Sequence, residues 1–221
     1  QASAQASGTV KTIAGAFAGY VDGDNRFSEF NQPFAAAFDK AGNVYIADLG
    51  NNAVRKLNPA TTVVTTVIPR PNTVNPLTQP VAIVLDRADN IYVANQGNGV
   101  VFQYDINGNL RTAIASGLAE PTALGLDNRT NLYIALLGGL VKRVDVKGVS
   151  TNLFTVPSGL VPPQIRGLTV LDNGRIVVSD AANHVLWIYD PQAMTQKLTT
   201  LAGGKGAGFT EGSAAFAQFN Q

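Results

Sequence analysis

QPFAAAFDKAGNVYIADLGNNAVRKL, from Gln32 to Leu57, recurs three more times along this chain in altered form. Each copy has a strand of small residues, a turn with Asp, Asn or Gly, a strand of aromatic and β-branched residues, and a polar corner before a third strand. The later copies are QPVAIVLDRADNIYVANQGNGVVFQY (79–104), EPTALGLDNRTNLYIALLGGLVKRV (120–144) and QIRGLTVLDNGRIVVSDAANHVLWIY (164–189). The chain is therefore a repeat protein built from β-strands.

The period of the repeat predicts its architecture. The equivalent corner positions Asp48, Asn95, Leu136 and Asp180 are 47, 41 and 44 residues apart, which is the length of a four-stranded propeller blade. A fourth strand follows each copy, with the sequences TVVTTVI, LRTAIA, STNLFTV and KLTTLA. We therefore predict an all-β propeller. Its blades are expected at about 32–68, 79–118, 120–159 and 164–204.

Two similar phrases flank the four repeats. IAGAFAGYVDGDNRFSEFNQ (13–32) matches LAGGKGAGFTEGSAAFAQFNQ (201–221) with one extra residue in the second copy. We call them the first and second connection, because each is predicted to lead from the outer strand of one blade to the inner strand of the next. They are 189 residues apart, measured from Gln32 to Gln221, so they enclose four repeats of about 47 residues.

The connections set the expected boundaries of the domain. Residues 1–8 are assigned to a linker or processed N-terminus, and 9–221 to the propeller. Thr9–Gly15 (TVKTIAG) is similar to KLTTLAG of the last repeat, so we expect it to be an outer strand with no blade of its own, while 205–221 is a connection to a next blade. Three explanations stay open: a longer chain that closes a ring of six blades, a head-to-tail assembly of copies, and a compact ring of four or five blades.

The repeat resembles a known family. It reads Pro-x-small-apolar-apolar-apolar-Asp, then Asn-apolar-Tyr-apolar-Ala-Asp, and the first copy continues as GNNAVRK from Gly50 to Lys56. This pattern is similar to the NHL repeat of β-propellers over almost the whole chain from Thr9 onward. The resemblance implies a propeller that is usually six-bladed. It leaves the function open, because unrelated activities occur on this fold.

Related propeller enzymes provide a test for catalysis. Peptidyl-hydroxyglycine lyases of this type rely on several metal-binding histidines, whereas His184 is the only histidine here and Cys is absent. Lactonase-like and strictosidine synthase-like propellers use polar residues in the central channel, but the inner strands predicted here carry mostly Ala and Gly. His184 is expected to have a structural or solvated role, so no catalytic residue is assigned.

Two short motifs resemble a metal site and a phosphate-binding loop, but neither has the residue spacing that such a site requires. Asp22-Gly23-Asp24-Asn25 lacks the acidic twelfth position of a calcium loop and is interpreted as a turn with Asx hydrogen bonds. Gly203-Gly204-Lys205-Gly206 lacks the GxxxxGK[ST] spacing of a phosphate loop. We therefore expect neither a cofactor nor a metal site. Asp48 and Asp180 are predicted to accept bonds from backbone amides at the corner, a role that Asn95 can fill and Leu136 cannot.

Composition limits the partners. Lys and Arg number 16 against 15 Asp and Glu, a formal net charge of +1, so the chain has no basic block for nucleic acid phosphates. No apolar run approaches the roughly 20 residues that span a bilayer, and no membrane insertion is expected.

Asn128-Arg129-Thr130 is a glycosylation sequon, which fits an extracellular or cell-surface location. The third-strand charges Arg55, Lys56, Lys142 and Arg143 are interpreted as solubilising the blade surface.

The remaining candidates form a predicted binding rim. Residues just after the proline that begins each blade, among them Phe34, Val81, Thr122 and Arg166, are expected near the channel mouth. Corner and loop residues join them. The candidate rim comprises Phe34, Asn51, Asn52, Arg70, Asn98, Arg166, Asn183 and His184.

The sequence thus predicts a non-catalytic propeller module. It would bind a protein, peptide or glycan, or act as a structural repeat whose open ends are completed by further blades or by copies of itself. One alternative is part of a propeller enzyme whose catalytic residues lie outside this segment. Another is a substrate-recruiting or sensor domain of a larger protein.

Overall fold

The chain folds into four antiparallel sheets, each of which is one propeller blade. The structure is a computed structural model that describes residues 11–159, 161–204, 206–208, 210, 213–214 and 217–220. In every blade four consecutive strands pair in chain order, so that the first strand is innermost and the fourth is outermost. The predicted fold class is confirmed.

The strands follow the repeat. Blade 1 contains β2 (Pro33–Phe38), β3 (Val44–Asp48), β4 (Ala53–Asn58) and β5 (Val63–Ile68), preceded by β1 (Gly23–Asp24) and with a short 3-10 helix at Leu49–Asn51. Blade 2 contains β6 (Pro80–Leu85), β7 (Ile91–Asn95), β8 (Val100–Tyr104) and β9 (Leu110–Ala115). Blade 3 contains β10 (Pro121–Leu126), β11 (Leu132–Leu136), β12 (Leu140–Val144) and β13 (Ser150–Thr155). Blade 4 contains β14 (Ile165–Val170), β15 (Ile176–Asp180), β16 (Val185–Tyr189) and β17 (Leu198–Gly203).

The core lies between successive blades. Side chains from facing sheets interdigitate in three apolar clusters, such as the one that joins Tyr45 and Val54 of blade 1 to Ile83 and Val93 of blade 2. Similar clusters join blades 2 and 3 and blades 3 and 4. Because each sheet is covered on the side that faces its neighbour, the second strands are mostly apolar and show little alternation.

Small residues on the inner strands let the blades approach near the axis. The first strands of neighbouring blades lie side by side, and a Cβ added to Gly125 of β10 would collide with the Leu168 side chain of β14. This close approach explains the Ala and Gly content of the inner strands.

The corners of blades 1, 2 and 4 are each closed by one polar side chain. The Oδ1 atom of Asp48 accepts the backbone N–H of Asn31 at 2.8 Å, and that of Asp180 accepts the N–H of Gln164 at 3.0 Å. Asn95 accepts the N–H of Thr78 in the same way, at 3.1 Å. These bonds tie the end of the second strand to the segment that leads into the first. The corner role predicted for Asp48, Asp180 and Asn95 is confirmed.

The turn before each second strand in blades 1 to 3 is built on an aspartate. In blade 1 the Oδ1 atom of Asp39 accepts the backbone N–H groups of Ala41 and Asn43 at 2.9 and 2.8 Å. Asp86 and Asp127 do the same in blades 2 and 3. These are Asx turns, in which the side chain replaces a backbone acceptor.

The N-terminal segment differs from the prediction. Thr9 lies outside the described residues, and Lys11–Gly15 form no strand. Instead the backbone N–H of Gly15 donates to the carbonyl O of Asn25 at 3.1 Å, within the first connection itself. The unexpected strand is β1, which pairs with β5 as Gly23↔Val64 and Asp24↔Val63 and gives blade 1 a fifth strand. The connection therefore shields the outer edge of blade 1.

Within the part of the chain that the structure describes, no helix is long and apolar enough to cross a membrane.

Candidate functional site

Arg55 holds the first connection on blade 1. Its side chain has no exposed surface, although it was predicted to be a surface charge. Nη2 donates to the Asp22 carboxylate at 2.6 Å and to the Val21 carbonyl O at 2.8 Å, while Nη1 donates to the Glu29 carbonyl O at 2.8 Å and to Asp48 at 3.1 Å. The prediction for Arg55 was wrong because its partners lie about 30 residues earlier, in a connection that local patterns do not place.

Aromatic rings complete this anchor. The guanidinium carbon of Arg55 lies 4.9 Å from the centroid of the Tyr20 ring and 5.1 Å from that of Phe30. A planar cation close to two aromatic rings, with carboxylates and carbonyl oxygens as acceptors for its forked N–H groups, is an environment that suits arginine better than lysine. Arg55 is thus a structural residue that fixes where the first connection lies.

The corner asparagines of the predicted rim also bind the chain itself. Asn51 Nδ2 donates to the Gly19 carbonyl O at 2.7 Å and to Asp48 at 2.7 Å. Asn52 adopts a left-handed conformation with φ 50°, and its Oδ1 accepts the N–H of Gln79 at 2.7 Å. Asn98 Nδ2 donates to the Pro76 carbonyl O at 3.2 Å. These three residues hold the connections between blades.

The other predicted rim residues are scattered. Phe34 and Arg166 are exposed on the first strands of blades 1 and 4, but Val81 and Thr122, at the same position of blades 2 and 3, are buried. Arg70 donates to the Oδ1 atom of Asn109 in a turn of blade 2, so it belongs to the seam between blades 1 and 2. None of the eight predicted residues is buried, and the binding role predicted for them stays a prediction.

Asn183 and His184 do lie together at a cavity, which we call the corner cleft. It has a volume of about 650 Å³. Pro157 and Val161 line it from the loop before blade 4, and Trp187 and Thr200 line it from β16 and β17. A cavity of this size, with apolar walls and a few polar groups, is typical of ligand sites in proteins.

The polar groups of the corner cleft are fixed by the backbone. His184 has φ 56°, and its carbonyl O accepts the N–H of Gly204 at 3.0 Å, which joins the corner to the second connection. Asn183 Nδ2 donates to Asp180 at 2.8 Å and to the Val161 carbonyl O at 3.3 Å. The indole Nε1 of Trp187 is buried and has no hydrogen-bond partner among the described residues. Sequence reasoning found His184 and Asn183 at the corner, but Trp187 looked like an ordinary strand residue.

A second, more polar cleft of about 370 Å³ lies between the turns of blades 3 and 4. Asp127 lines it and is fully engaged, since it accepts Asn131 Nδ2 at 2.6 Å and the Tyr133 hydroxyl at 3.2 Å. Burial opposes ionisation of Asp127, but bonds from Asn131 and Arg129 outweigh it, so its pKa lies below the usual range. Burial, together with the charge of Asp127, raises the pKa of Tyr133 to about 12. Neither group is suited to transfer protons near neutral pH.

Asn128, the predicted glycosylation residue, is exposed on the turn of blade 3. Its Nδ2 donates to Asp172 of blade 4 at 2.9 Å, and its Oδ1 accepts Arg87 Nη2 of blade 2 at 2.8 Å. The side chain therefore bridges three blades. A glycan on Nδ2 would have to replace the bond to Asp172.

Two further observations concern metals and the Asp22–Asn25 turn. Among the described residues, no three His, Asp or Glu side chains are grouped so that they could hold a metal ion. In the turn, Asp24 accepts the backbone N–H of Arg26 at 3.0 Å, which is the expected Asx bond, while Asp22 is committed to Arg55.

Solved structures with the same arrangement of sheets establish the fold. A protein of unknown function from Bacteroides thetaiotaomicron has a TM-score of 0.76 at 21% identity, over 96% of this chain and 54% of its own. An auxiliary nutrient binding protein from Bacteroides ovatus has a TM-score of 0.74 at 12% identity, over 94% and 53%. The chain has the β-propeller fold.

Other structures with this fold are enzymes. A streptogramin B lyase has a TM-score of 0.60 at 12% identity and matches 76% of this chain and 53% of its own. The chain thus spans about half the length of the solved structures that it matches. No protein-family model and no curated relative matches it.

Proposed function

We propose that this chain is a non-catalytic propeller module that binds a peptide segment of a partner protein in the corner cleft of blade 4. The observation that carries the proposal is the cleft itself, about 650 Å³ in volume and lined by Trp187, His184 and Asn183. Its apolar walls suit peptide side chains, and its few polar groups suit the peptide backbone.

The use of the blade carboxylates supports a non-catalytic role. Asp48 and Asp180 accept backbone amides at the corners, and the turn aspartates accept backbone and asparagine N–H groups. Carboxylates whose oxygens already accept N–H groups of the chain itself are less available as general acids or bases. The NHL-type repeat is consistent with this role, and we place the module outside the cell or at its surface.

The test starts from binding by the full chain, residues 1–221. A random peptide library displayed on phage is panned against the chain, and selected peptides are measured by isothermal titration calorimetry. Thr200→Trp fills the cleft from β17, and we expect it to weaken binding about tenfold or more. The matched control is Ala113→Trp. Ala113 faces Phe102 in blade 2 just as Thr200 faces Trp187 in blade 4.

Other results would contradict the proposal. Peptide binding that both tryptophan variants reduce equally would place the site elsewhere. Binding only to a glycan array, or only to small nutrients, would replace the peptide by another ligand. Turnover of a streptogramin B by the purified chain would show that the module is an enzyme.

A further inference from the structure

Arg143 lines the polar cleft between the turns of blades 3 and 4, which we call the turn cleft. Its Nε atom is buried and has no hydrogen-bond partner among the described residues. Nor does any described carboxylate lie close enough to form an ion pair with it. A buried N–H of a charged group without an acceptor is costly, so Arg143 is a donor that an anion would stabilise.

The same repeat position is satisfied within its own blade elsewhere. Arg143 of β12 lies opposite Tyr133, as Gln103 of β8 lies opposite Tyr92. Gln103 Nε2 donates to the Tyr92 hydroxyl at 2.8 Å. In blade 1, Lys56 Nζ lies 5.5 Å from the centroid of the tyrosine ring opposite it. The charge at this position of blade 3 has no hydrogen-bonded partner among the described residues of its own blade, because the Tyr133 hydroxyl donates to the turn aspartate instead.

The carboxylates near Arg143 are already bound by other donors. Asp127 accepts four hydrogen bonds from its own blade. Asp172, across the cleft on blade 4, accepts a side-chain amide N–H at 2.9 Å. Asp145, whose charge attracts that of Arg143, accepts two backbone N–H groups, both at 2.9 Å. The charge that lacks a bonded partner in the turn cleft is therefore positive.

The charges of the turn cleft favour a ligand with a single negative charge. Arg143 and the exposed Arg129 line the cleft together with Asp127 and Asp172. A phosphate dianion would meet two carboxylates as well as the two arginines, and it would be repelled more strongly than a monoanion. The planar fork of a guanidinium matches the two oxygens of a carboxylate. A carboxylate is therefore the anion that fits.

Rings and aliphatic side chains form the rest of the walls. Tyr133 and Leu153 line the cleft from blade 3, and Ile176 and Tyr189 line it from blade 4. The Tyr189 ring is held by stacking on Phe154, with the ring centroids 4.5 Å apart. A volume of about 370 Å³ lies at the lower end of the range for small-molecule sites. These walls suit a compact ligand with a ring.

We infer that the turn cleft binds a small ring-bearing carboxylate, whose carboxylate pairs with the Arg143 guanidinium and whose ring packs against Tyr133 and Tyr189. The equivalent cleft of about 290 Å³ between blades 2 and 3 is lined by Gln103 and two aspartates, with no cation among its described residues. It is not expected to bind the same ligand. The turn cleft shares no described lining residue with the corner cleft, so this inference does not depend on peptide binding there.

The test titrates the full chain, residues 1–221, with two carboxylates, phenylacetate and D-glucuronate. Their neutral counterparts, phenylacetamide and D-glucuronamide, are titrated in parallel. Binding is followed by the NMR signal of the Arg143 Nε–H group. We expect at least one carboxylate to shift this signal and to bind about tenfold or more tightly than its own amide. The carboxylate that binds better distinguishes an aromatic acid from an acidic sugar.

Variants at Arg143 test the pairing, and the backbone amide signal of Gly174, which also lines the cleft, follows binding to them. Arg143→Gln should weaken carboxylate binding about tenfold or more. It should keep the fold, because Gln103 pairs with the tyrosine opposite it. Arg143→Lys keeps the charge but loses the forked donors, so intermediate binding is expected. The control is Arg111→Gln, which removes the same charge from an exposed position on β9 and should leave binding unchanged.

Four results would overturn the inference. The first is equal binding of each carboxylate and its amide, and the second is an equal loss in Arg143→Gln and Arg111→Gln. Tighter binding of inorganic phosphate than of either carboxylate would replace the ligand class. Failure of both carboxylates to bind at about 10 mM would show that the turn cleft is not a carboxylate site.

Discussion

Arg55 and Asp48 form an ion pair of 3.1 Å in which neither side chain has any exposed surface. The same aspartate also accepts the N–H of Asn31, so one carboxylate joins the second strand, the third strand and the first connection of blade 1. A buried charge is tolerated only when its partner is present.

We expect Arg55→Met to lower the free energy of unfolding by about 3–5 kcal/mol, because Asp48 would be left as a buried carboxylate without a counterion. Urea unfolding followed by circular dichroism measures the change. Lys56→Met is the control, since Lys56 is the next residue on β4 and is partly exposed; it should cost about 1 kcal/mol or less. Equal losses in the two variants would contradict the anchoring role of Arg55.

The corner carboxylates should differ in their tolerance of asparagine. Asn95 already closes the corner of blade 2, so Asp180→Asn is expected to cost about 1 kcal/mol or less. Asp48→Asn also removes a charge that faces Arg55, and it should cost at least about 2 kcal/mol more. The same unfolding measurement compares the pair. A similar cost at both corners would mean that the ion pair adds little.

Substitution of two glycines by alanine distinguishes the cost of backbone strain from the cost of a steric collision. Gly117 and Gly99 have φ of 64° and 65°, but a Cβ on Gly117 meets nothing, whereas one on Gly99 would collide with the Leu118 carbonyl O. Gly117→Ala should cost about 1–2 kcal/mol from the left-handed conformation alone. Gly99→Ala should cost about 3 kcal/mol or more, because the collision is added. Thermal unfolding of the two variants distinguishes these values.

The turn aspartates make the free energy of unfolding depend on pH in the acidic range. Burial opposes ionisation of Asp86 as it does of Asp127, but bonds from Asn90 and the backbone lower the pKa of Asp86. Since the folded pKa is below the unfolded value of about 3.9, each carboxylate stabilises the fold above that pH, and the contribution is lost as the pH falls through the folded pKa.

We therefore expect the urea midpoint to fall steeply below about pH 4. Asp127→Asn should flatten this dependence, because the ionisable group is gone. Tyr133→Phe, which removes one donor to Asp127, should flatten it less. A profile that is unchanged in Asp127→Asn would show that other groups control acid unfolding.

The blades could be predicted from the sequence because their period, turns and corners are local patterns. Asp39, Asp86 and Asp127 bind amides two and four residues ahead, so their role can be predicted from neighbours alone. Asp48 and Asp180 were predictable for a similar reason, since the corner recurs in every repeat.

Residues whose environment depends on distant segments could not be predicted in this way. Arg55 has the composition of a surface strand residue, and only the path of residues 20–30 buries it. Phe34 and Val81 occupy the same position of the repeat, but Phe34 is exposed and Val81 is buried. Repeat position fixes the backbone of such a residue, whereas the exposure of its side chain depends on the segments around it.

The way the first connection is held also defines where the chain can be divided. Blade 1 starts at Pro33 as a sheet, but its buried arginine also binds Asp22, eleven residues upstream, and two carbonyl groups of the same segment. The unit that can be duplicated, transplanted or deleted without uncovering the Arg55–Asp48 ion pair therefore begins near Ile13, inside what looks like a linker. Recombination or engineering that cuts at the strand boundary would separate a blade from the segment that buries its arginine.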